Sequence, residues 1–564
     1  MKETGARIIV ELLKREGVDV VAGIPGGSNL PLYDALYGSG IRHVLARHEQ
    51  GAGFIAQGMS RSTGRCAVCL ATSGPGATNL LTALADAKLD SVPIVAITGQ
   101  VPSSLLGTDA FQEVDTYGMS LPIVKHSYLV YSAADLLKIV PEAFRIARAG
   151  RPGPVLIDVP KNVQLELVEF ESWPDPSRPD PPTPISTEEA RLAAKMIDES
   201  ERPFIYFGGG VAAALAHEEL AELTRKAEIP SAATLMGLGC LSSDHPLYLG
   251  MIGMHGSRAV NELVERADLL IAVGARFDDR ATGDIRRFAR RARTIHIDAD
   301  AAEINKIRKA DLGIKADARS ALSAIAGFVH ERKGTRWAEE VKSMSLLYSI
   351  NEPRSDSHPR AIIRSIARAA GPDAIVTTDV GQHQMWAAQS YPVPRPRSFL
   401  TSGGLGTMGF GLPAAIGAAL ANPGRRVLCI TGDGSLLMNV QELATLTELD
   451  LDVTIVVFDN GSLGLVRQQQ ELFYGRRYSA SLFEARVDFA AVARGFGLRA
   501  ESILAGGDIT DAIDRSMRGR GPRLLCIGIC AETKVLPMVP PGGANAEPIQ
   551  EEETVFETVA GCDT

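Results

Sequence analysis

Short apolar runs recur along the whole chain, each closed by a Gly-, Pro- or Ser-rich turn and followed by a segment with helical spacing. In the first third these runs are VDVVAGI, CAVCLAT, VPIVAITG and GPVLIDV. In the middle they are PFIYFGG, DLLIAVGA and RTIHID, and in the last third AIVTTD, RVLCITGDG, VTIVVFDN and RLLCIGI. Runs that are apolar at nearly every position, rather than at alternate ones, predict strands buried on both faces and hence parallel sheets covered by helices. Helix-period segments such as ARLAAKMIDES and GLPAAIGAALANP fall between them. The pattern predicts an α/β chain of three doubly wound parallel-sheet domains, with ligands bound beyond the carboxyl ends of strands. No short repeat of fixed period occurs, which excludes solenoids and propellers.

Two segments interrupt this rhythm. Residues 172–187, SWPDPSRPDPPTPIST, hold six prolines from Pro174 to Pro184 and predict an extended linker. Residues 349–359, SINEPRSDSHP, lack apolar periodicity and mark a weaker boundary. The expected division is therefore 1–171, the linker 172–187, 188–345, 346–540 and an acidic tail 541–564 that is mobile unless it docks. A length of 564 residues agrees with this, at roughly 150 residues per domain. The 58 basic and 67 acidic residues leave a net charge of −9, with no broad basic surface for nucleic acid or an anionic membrane. The first residues, MKETGARIIVELLKREGV, place charges among apolar positions at helical spacing, unlike a signal peptide. No apolar run approaches the ~18 residues of a membrane span, so a cytoplasmic protein is expected. The seven cysteines, including the Cys66/Cys69 pair inside CAVCLAT, read as buried reduced thiols.

Chemistry concentrates between Ile430 and Ser462. The strand RVLCIT runs into Gly432-Asp433-Gly434-Ser435, and VTIVVF runs into Asp459-Asn460-Gly461-Ser462. An acidic side chain and an amide at adjacent strand ends can share one hard cation through oxygen. The glycines let backbone N–H groups approach a phosphate whose charge that cation neutralises. GDG alone is only a tight turn, but its spacing to Asn460 resembles the diphosphate and magnesium motif of thiamine-diphosphate enzymes. That resemblance implies Asp433, the Asn460 side chain and the Ser462 carbonyl as Mg²⁺ ligands. The motif often has Asn-Asn where this chain has Asp459-Asn460, a departure that precedes the ligand. Such a cofactor needs a carboxylate on N1′ of its aminopyrimidine, to promote the imino tautomer. Glu49, in Arg47-His48-Glu49-Gln50 after the strand RHVLA, falls at the first turn of a predicted helix. Alone it is a favourable charge near a helix N-terminus; beside the GDG motif it is the expected proton relay.

Further motifs narrow the family. Pro25-Gly26-Gly27, SGPGATN from Ser73, GTDAFQE from Gly107, GQHQMW from Gly381 and GGLGTMG from Gly403 follow one another along the chain. Together they resemble the large catalytic subunit of the acetohydroxyacid synthase (acetolactate synthase) family, most of all its bacterial isozyme I type, from the N-terminal helix to Pro541. The resemblance makes 1–171 a pyrimidine-binding domain, 188–345 an FAD-binding domain and 346–540 a diphosphate- and Mg²⁺-binding domain. It implies catalytic Glu49, bordered by Gly27, Phe111 and Gln112, with Met408 under the bent cofactor. Gln382, His383, Gly406, Gly432, Gly434, Ser435 and Leu463 are the implied contacts on the diphosphate side. In the middle third GARFDDR from Gly274, the Gly208-Gly209-Gly210 triplet and Asp298 look like FAD-binding strand ends. Arg151, Gly209, Gly274, Arg276, Asp278, Asp298 and Asp317 are the implied FAD contacts. Arg276 is also expected to hold a substrate carboxylate bidentately, with Lys161 and Gln469 beside the substrate.

The implied activity is decarboxylation of pyruvate and transfer of its two-carbon unit to pyruvate or 2-oxobutyrate. It would use thiamine diphosphate, Mg²⁺ and an FAD of structural role. An FAD-dependent pyruvate oxidase, or another thiamine-diphosphate decarboxylase or carboligase, shares the fold and is the alternative. The implied partners are small 2-oxo acids, copies of the chain in a homodimer or homotetramer, and a small regulatory subunit. Gln469 stands where most anabolic synthases have Trp, which predicts little bias between the two acceptors.

Overall fold

The computed structural model describes residues 1–347, 355–504 and 507–550. Most of the expected boundary at 349–359, and the tail beyond 550 with Glu551, Glu552, Glu553 and Cys562, lie outside the described residues.

Three six-stranded sheets, parallel throughout, form the frame. The first has the order Arg42–Leu45, Val20–Gly23, Ala67–Ala71, Ile94–Gln100, Val155–Pro160, His126–Leu129. The third has the order Phe399–Leu400, Ile375–Thr378, Val427–Gly432, Val453–Asp459, Arg523–Gly528, Arg499–Ile503. Numbered within each sheet both read 2-1-3-4-6-5, so the outer two domains share one topology. The central sheet runs Tyr248–Met251, Ser231–Ala233, Pro203–Phe207, Leu269–Val273, Arg293–Asp298, Leu312–Lys315. Its order, 3-2-1-4-5-6, is that of dinucleotide-binding folds, with a crevice where the winding reverses. The apolar runs named above supply the central strands of all three sheets. Several strands they do not announce, such as His126–Leu129, Leu312–Lys315 and Arg499–Ile503, lie at sheet edges, where part of the strand stays exposed and the apolar run is broken.

The domains share cores. Helix Glu49–Thr63 of the first domain packs along helix Gly411–Ala421 of the third, in one apolar cluster that includes Ile55, Met59, Leu412 and Ile416. A second cluster runs from Ile197 and Ile205 of the central domain to Ile363 and Trp386 of the third. Residues 173–186 form neither helix nor strand, and Ser177 anchors them by donating its N–H to Glu16 at 2.6 Å. As far as it is described, the tail docks on the central domain. The Asp284 N–H donates to the Gly543 carbonyl at 2.9 Å, and Asn545 Nδ2 donates to the Ala281 carbonyl at 2.8 Å. Among the described residues no helix is long and apolar enough to cross a membrane.

Candidate active site

In the third sheet the winding reverses between Ile375–Thr378 and Val427–Gly432, and two loops meet beyond their ends. His383, on helix Gln382–Ser390, lies against Gly432, where a Cβ would sit 2.9 Å from the ring Nδ1. Its Nε2 is buried without a hydrogen-bond partner, and burial pulls the ring's pKa down to about 3, so it stays neutral. An orphaned buried polar atom is costly in a protein alone and suits a ligand acceptor or donor. Asp433 accepts from the N–H groups of Gly434 at 2.9 Å and Gly461 at 2.7 Å, with Ser462 N–H at 3.3 Å. Burial, assisted by the charge of Asp459, pushes its carboxyl up to about 7; a bound cation would reverse that shift. Asn460 Oδ1 accepts from the Ser462 N–H and hydroxyl, both at 3.1 Å, and its Nδ2 donates to Gln382 Oε1 at 3.0 Å. Asp433, Asn460, Ser462, Gln382 and His383 thus form one cluster, with oxygen donors of the kind Mg²⁺ prefers. Ser435 donates its hydroxyl to the Val380 carbonyl at 2.8 Å, and Leu463, ahead of helix Gly464–Phe473, covers Gly434.

The first-domain residues lie on the loops and helix starts that follow the strands of the first sheet. Glu49 is the first residue of its helix and largely buried, and its Oε2 accepts from Asn79 Nδ2 at 2.9 Å. The two residues before it are held by Glu442 of the third domain, whose Oε1 accepts the Arg47 N–H at 2.9 Å and the His48 N–H at 3.1 Å. Sequence reasoning misses Glu442, since nothing local links it to the RHEQ segment. Gly27 is exposed with open space around its Cα. Phe111 is 87% exposed on a loop closed by Glu113, which accepts the N–H groups of Gly107, Thr108 and Ala110. Gln112 beside it has φ +60° and packs on Gly74. Lys161 begins the short helix Lys161–Leu165 after strand Val155–Pro160 and is half-buried. Among the described residues, no hydrogen bond or ion pair joins Glu49 to Asp433, Asn460 or Ser462.

A cavity of about 750 Å³ opens at the winding reversal of the central sheet. It brings together Arg151, Gly209, Gly274, Arg276, Asp278, Asp298 and Asp317, and adds Gly406 and Gln469 from the third domain. The glycines are needed there: a Cβ on Gly210 would lie 2.5 Å from the Gly274 Cα, and Gly274 has φ +54°. Arg151 donates to Ser91 Oγ at 2.8 Å and to Glu303 at 2.7 Å. Asp298 accepts the Asp300 N–H at 2.8 Å, and burial raises its carboxyl to about 6. Asp278 caps helix Asp279–Thr282; burial raises its pKa and the adjacent Arg276 charge opposes that. Asp317 caps helix Ala318–Phe328 by accepting the Ser320 N–H at 3.1 Å. Arg276 donates no hydrogen bond among the described residues, and its charge lies beside the Asp278 carboxylate. Gln469 and Leu465, one turn apart on helix Gly464–Phe473, both face this cavity, whereas Phe473 does not. Met408 is half-buried just beyond Gly406. Leu89 at the end of helix Pro75–Leu89, Ser91 just after it and Met236 also line the cavity, and no motif marks them.

Comparison with known proteins finds three family matches along the chain. Residues 3–119 match the N-terminal TPP binding domain of thiamine pyrophosphate enzymes, 190–325 the central domain, and 379–527 the C-terminal TPP binding domain. Over 552 residues the chain is 52% identical to the acetolactate synthase isozyme 1 large subunit of Escherichia coli (strain K12), covering 97% of this chain and 98% of that protein. The chain belongs to the acetolactate synthase large subunits. The isozyme 2 large subunit of the same organism is 46% identical over 546 residues, covering 97% and 99% of the two chains. The acetolactate synthase large subunit of Corynebacterium glutamicum is 44% identical over 561 residues, covering 96% and 90%. Thiamine diphosphate is accordingly the cofactor of the outer two domains, which carry Glu49 and the Asp433 cluster.

Proposed function

We propose that this acetolactate synthase large subunit decarboxylates pyruvate and joins the two-carbon unit to pyruvate or 2-oxobutyrate, the first common step of branched-chain amino-acid biosynthesis. The reading is carried by identity along nearly the whole chain to acetolactate synthases, together with retention of Glu49 and the Asp433–Asn460–Ser462 cluster. Asp433, the Asn460 amide oxygen and the Ser462 carbonyl would hold Mg²⁺, while His383, Gln382 and the Gly432–Ser435 turn receive the diphosphate. When bound, thiamine diphosphate supplies the electron sink for decarboxylation. Glu49 holds and moves the proton at N1′, with Asn79 keeping its carboxylate in place. Gly27, Phe111, Gln112 and Lys161 border the reacting centre and exclude water from it. Arg276 receives the carboxylate of a 2-oxo acid, Met408 supports the cofactor, and Gln469 faces the acceptor. FAD fills the central cavity; since the reaction involves no net oxidation, its role is structural.

Among the described residues no hydrogen bond joins Glu49 to Asp433 within one chain, and Phe111, Leu437 and Met438 are exposed beside the two crevices. Both facts support a homodimer, or a homotetramer built from two, in which each site takes Glu49 from one chain and Asp433 from another. The large-subunit names of the relatives support a small regulatory partner. We read the domain limits as 1–171, 188–345 and 346–540, and the compartment as cytoplasmic. Product analysis of purified protein with pyruvate, thiamine diphosphate, Mg²⁺ and FAD tests the proposal. Acetolactate formed without oxygen uptake supports it; acceptor reduction matching the carbon dioxide released would establish a pyruvate oxidase instead.

A further inference from the structure

Arg61, on helix Glu49–Thr63, lies between two aspartates at the end of helix Pro75–Leu89. Its Nη2 donates to Asp86 at 2.9 Å and to Asp90 at 2.8 Å, and its Nη1 donates to the Thr401 carbonyl at 3.0 Å. All three side chains are buried, Arg61 at 6% exposure and both aspartates at 0%. The remaining acceptor positions of this first-domain cluster go to a third-domain loop. Asp86 Oδ2 accepts the hydroxyls of Ser402 and of Thr407, the latter at 2.9 Å. Asp90 accepts the Gly403 N–H at 3.0 Å and the Gly404 N–H at 2.7 Å. The far end of the loop is tied to Asp379, which accepts the Gly409 N–H at 2.8 Å. Between these ties the loop faces the central cavity through Gly403 to Gly406, and Met408 follows at once.

We propose that Asp90 is a positioning residue for both cofactors, because it sets the cavity wall at Gly403 and Gly404 and, through it, the Gly406–Met408 segment. This rests on reading the cavity as the FAD site. The two aspartates differ in what they hold. Hydroxyls can donate or accept, so Ser402 and Thr407 can turn to meet an amide at position 86. A backbone N–H can only donate, so an amide NH₂ at position 90 would oppose Gly403 or Gly404 and displace the loop.

The test compares Asp90→Asn with Asp86→Asn in the full-length chain. Both substitutions remove one carboxylate beside Arg61, so both apoproteins should unfold at a lower midpoint than wild type, and FAD binding is compared at a temperature where both are folded. Titration of apoprotein with FAD, read by flavin fluorescence, should show a half-saturation raised about tenfold or more in Asp90→Asn. The same value should stay within about threefold of wild type in Asp86→Asn. The thiamine diphosphate concentration for half-maximal activity should rise with the FAD value in Asp90→Asn alone. Equal effects of the two substitutions, or none from either, would overturn the proposal while leaving the cavity assignment intact. A wild-type protein that takes up no FAD would overturn both. Should Asp90→Asn not fold, Asp90→Glu keeps the charge but moves the acceptor by one methylene, and the same comparison decides.

Discussion

At position 49 a carboxylate is held in place by neighbours that do not neutralise it: one amide donor from Asn79 and a helix N-terminus behind it. Glu49→Gln keeps the shape and the hydrogen-bonding reach but cannot carry a proton between states. Its turnover should fall by about 10²-fold or more, with Mg²⁺ affinity little changed. Exchange of the cofactor's C2 proton, followed by NMR, checks this; a wild-type exchange rate would remove Glu49 from the relay. At position 469 the side chain faces the cavity shared with Arg276, and among the described residues no Phe, Tyr or Trp lines that cavity. An apolar contact with one methylene discriminates by roughly 1–3 kcal/mol, so wild type should show little acceptor bias and Gln469→Trp should favour 2-oxobutyrate by about tenfold or more. Competition between pyruvate and 2-oxobutyrate measures the ratio. A strong wild-type preference, unchanged by Trp, would place the selectivity elsewhere.

The sheets also bury ionisable side chains, and burial then penalises their charged form. In the first domain Thr98 and Asp158 pair across strands Ile94–Gln100 and Val155–Pro160, and the Thr98 hydroxyl donates to Asp158 at 2.6 Å. Gln100 Nε2 donates both to Asp158 at 3.0 Å and to the Val114 carbonyl at 2.8 Å, which ties the loop carrying Phe111 and Gln112 to the sheet end. Burial raises the Asp158 carboxyl from 3.8 to about 7. The folded chain therefore binds a proton that the unfolded chain has released between those values, and the sign follows: stability from this group is complete below pH 3.8 and is lost as pH rises through about 7. Asp158→Asn lacks that term. Its unfolding midpoint relative to wild type should therefore improve from pH 5 to pH 8, by at most about 1.4 kcal/mol per pH unit. Thermal unfolding of both proteins across that range measures the difference; a constant offset would show the carboxyl to be ionised throughout.

On the scale of the whole molecule, the two outer domains share a core through helices Glu49–Thr63 and Gly411–Ala421, yet among the described residues no hydrogen bond or ion pair joins Glu49 to Asp433, Asn460 or Ser462. If each site is completed by a second chain, two inactive variants can restore one another. In a mixture of Glu49→Gln and Asp433→Ala chains refolded or exchanged together, half of the dimers are mixed and each holds one intact site of its two. Activity should then recover to about a quarter of wild type. Steady-state assay of the mixture against each variant alone measures it, and no recovery with demonstrated subunit exchange would place both residues in one chain's site.

The sequence by itself determines the interior of the molecule and the chemistry at its strand ends. A strand buried on both faces is apolar at nearly every position, and a strand end that meets phosphate and metal favours Gly, Asp and Asn, so both leave a local signature. RVLCITGDG, VTIVVFDN and RHEQ are legible for that reason. Edge strands such as His126–Leu129 and Leu312–Lys315 are not, because their burial depends on neighbours supplied from elsewhere in the chain. Only the tertiary structure could show that Glu442 holds the backbone ahead of Glu49, that Asp86 and Asp90 hold the Ser402–Thr407 loop, and that the tail reaches Ala281 and Asp284. Hydrogen bonds between residues hundreds of positions apart impose no spacing on the chain, so no periodicity or motif announces them; they exist only once the domains have packed.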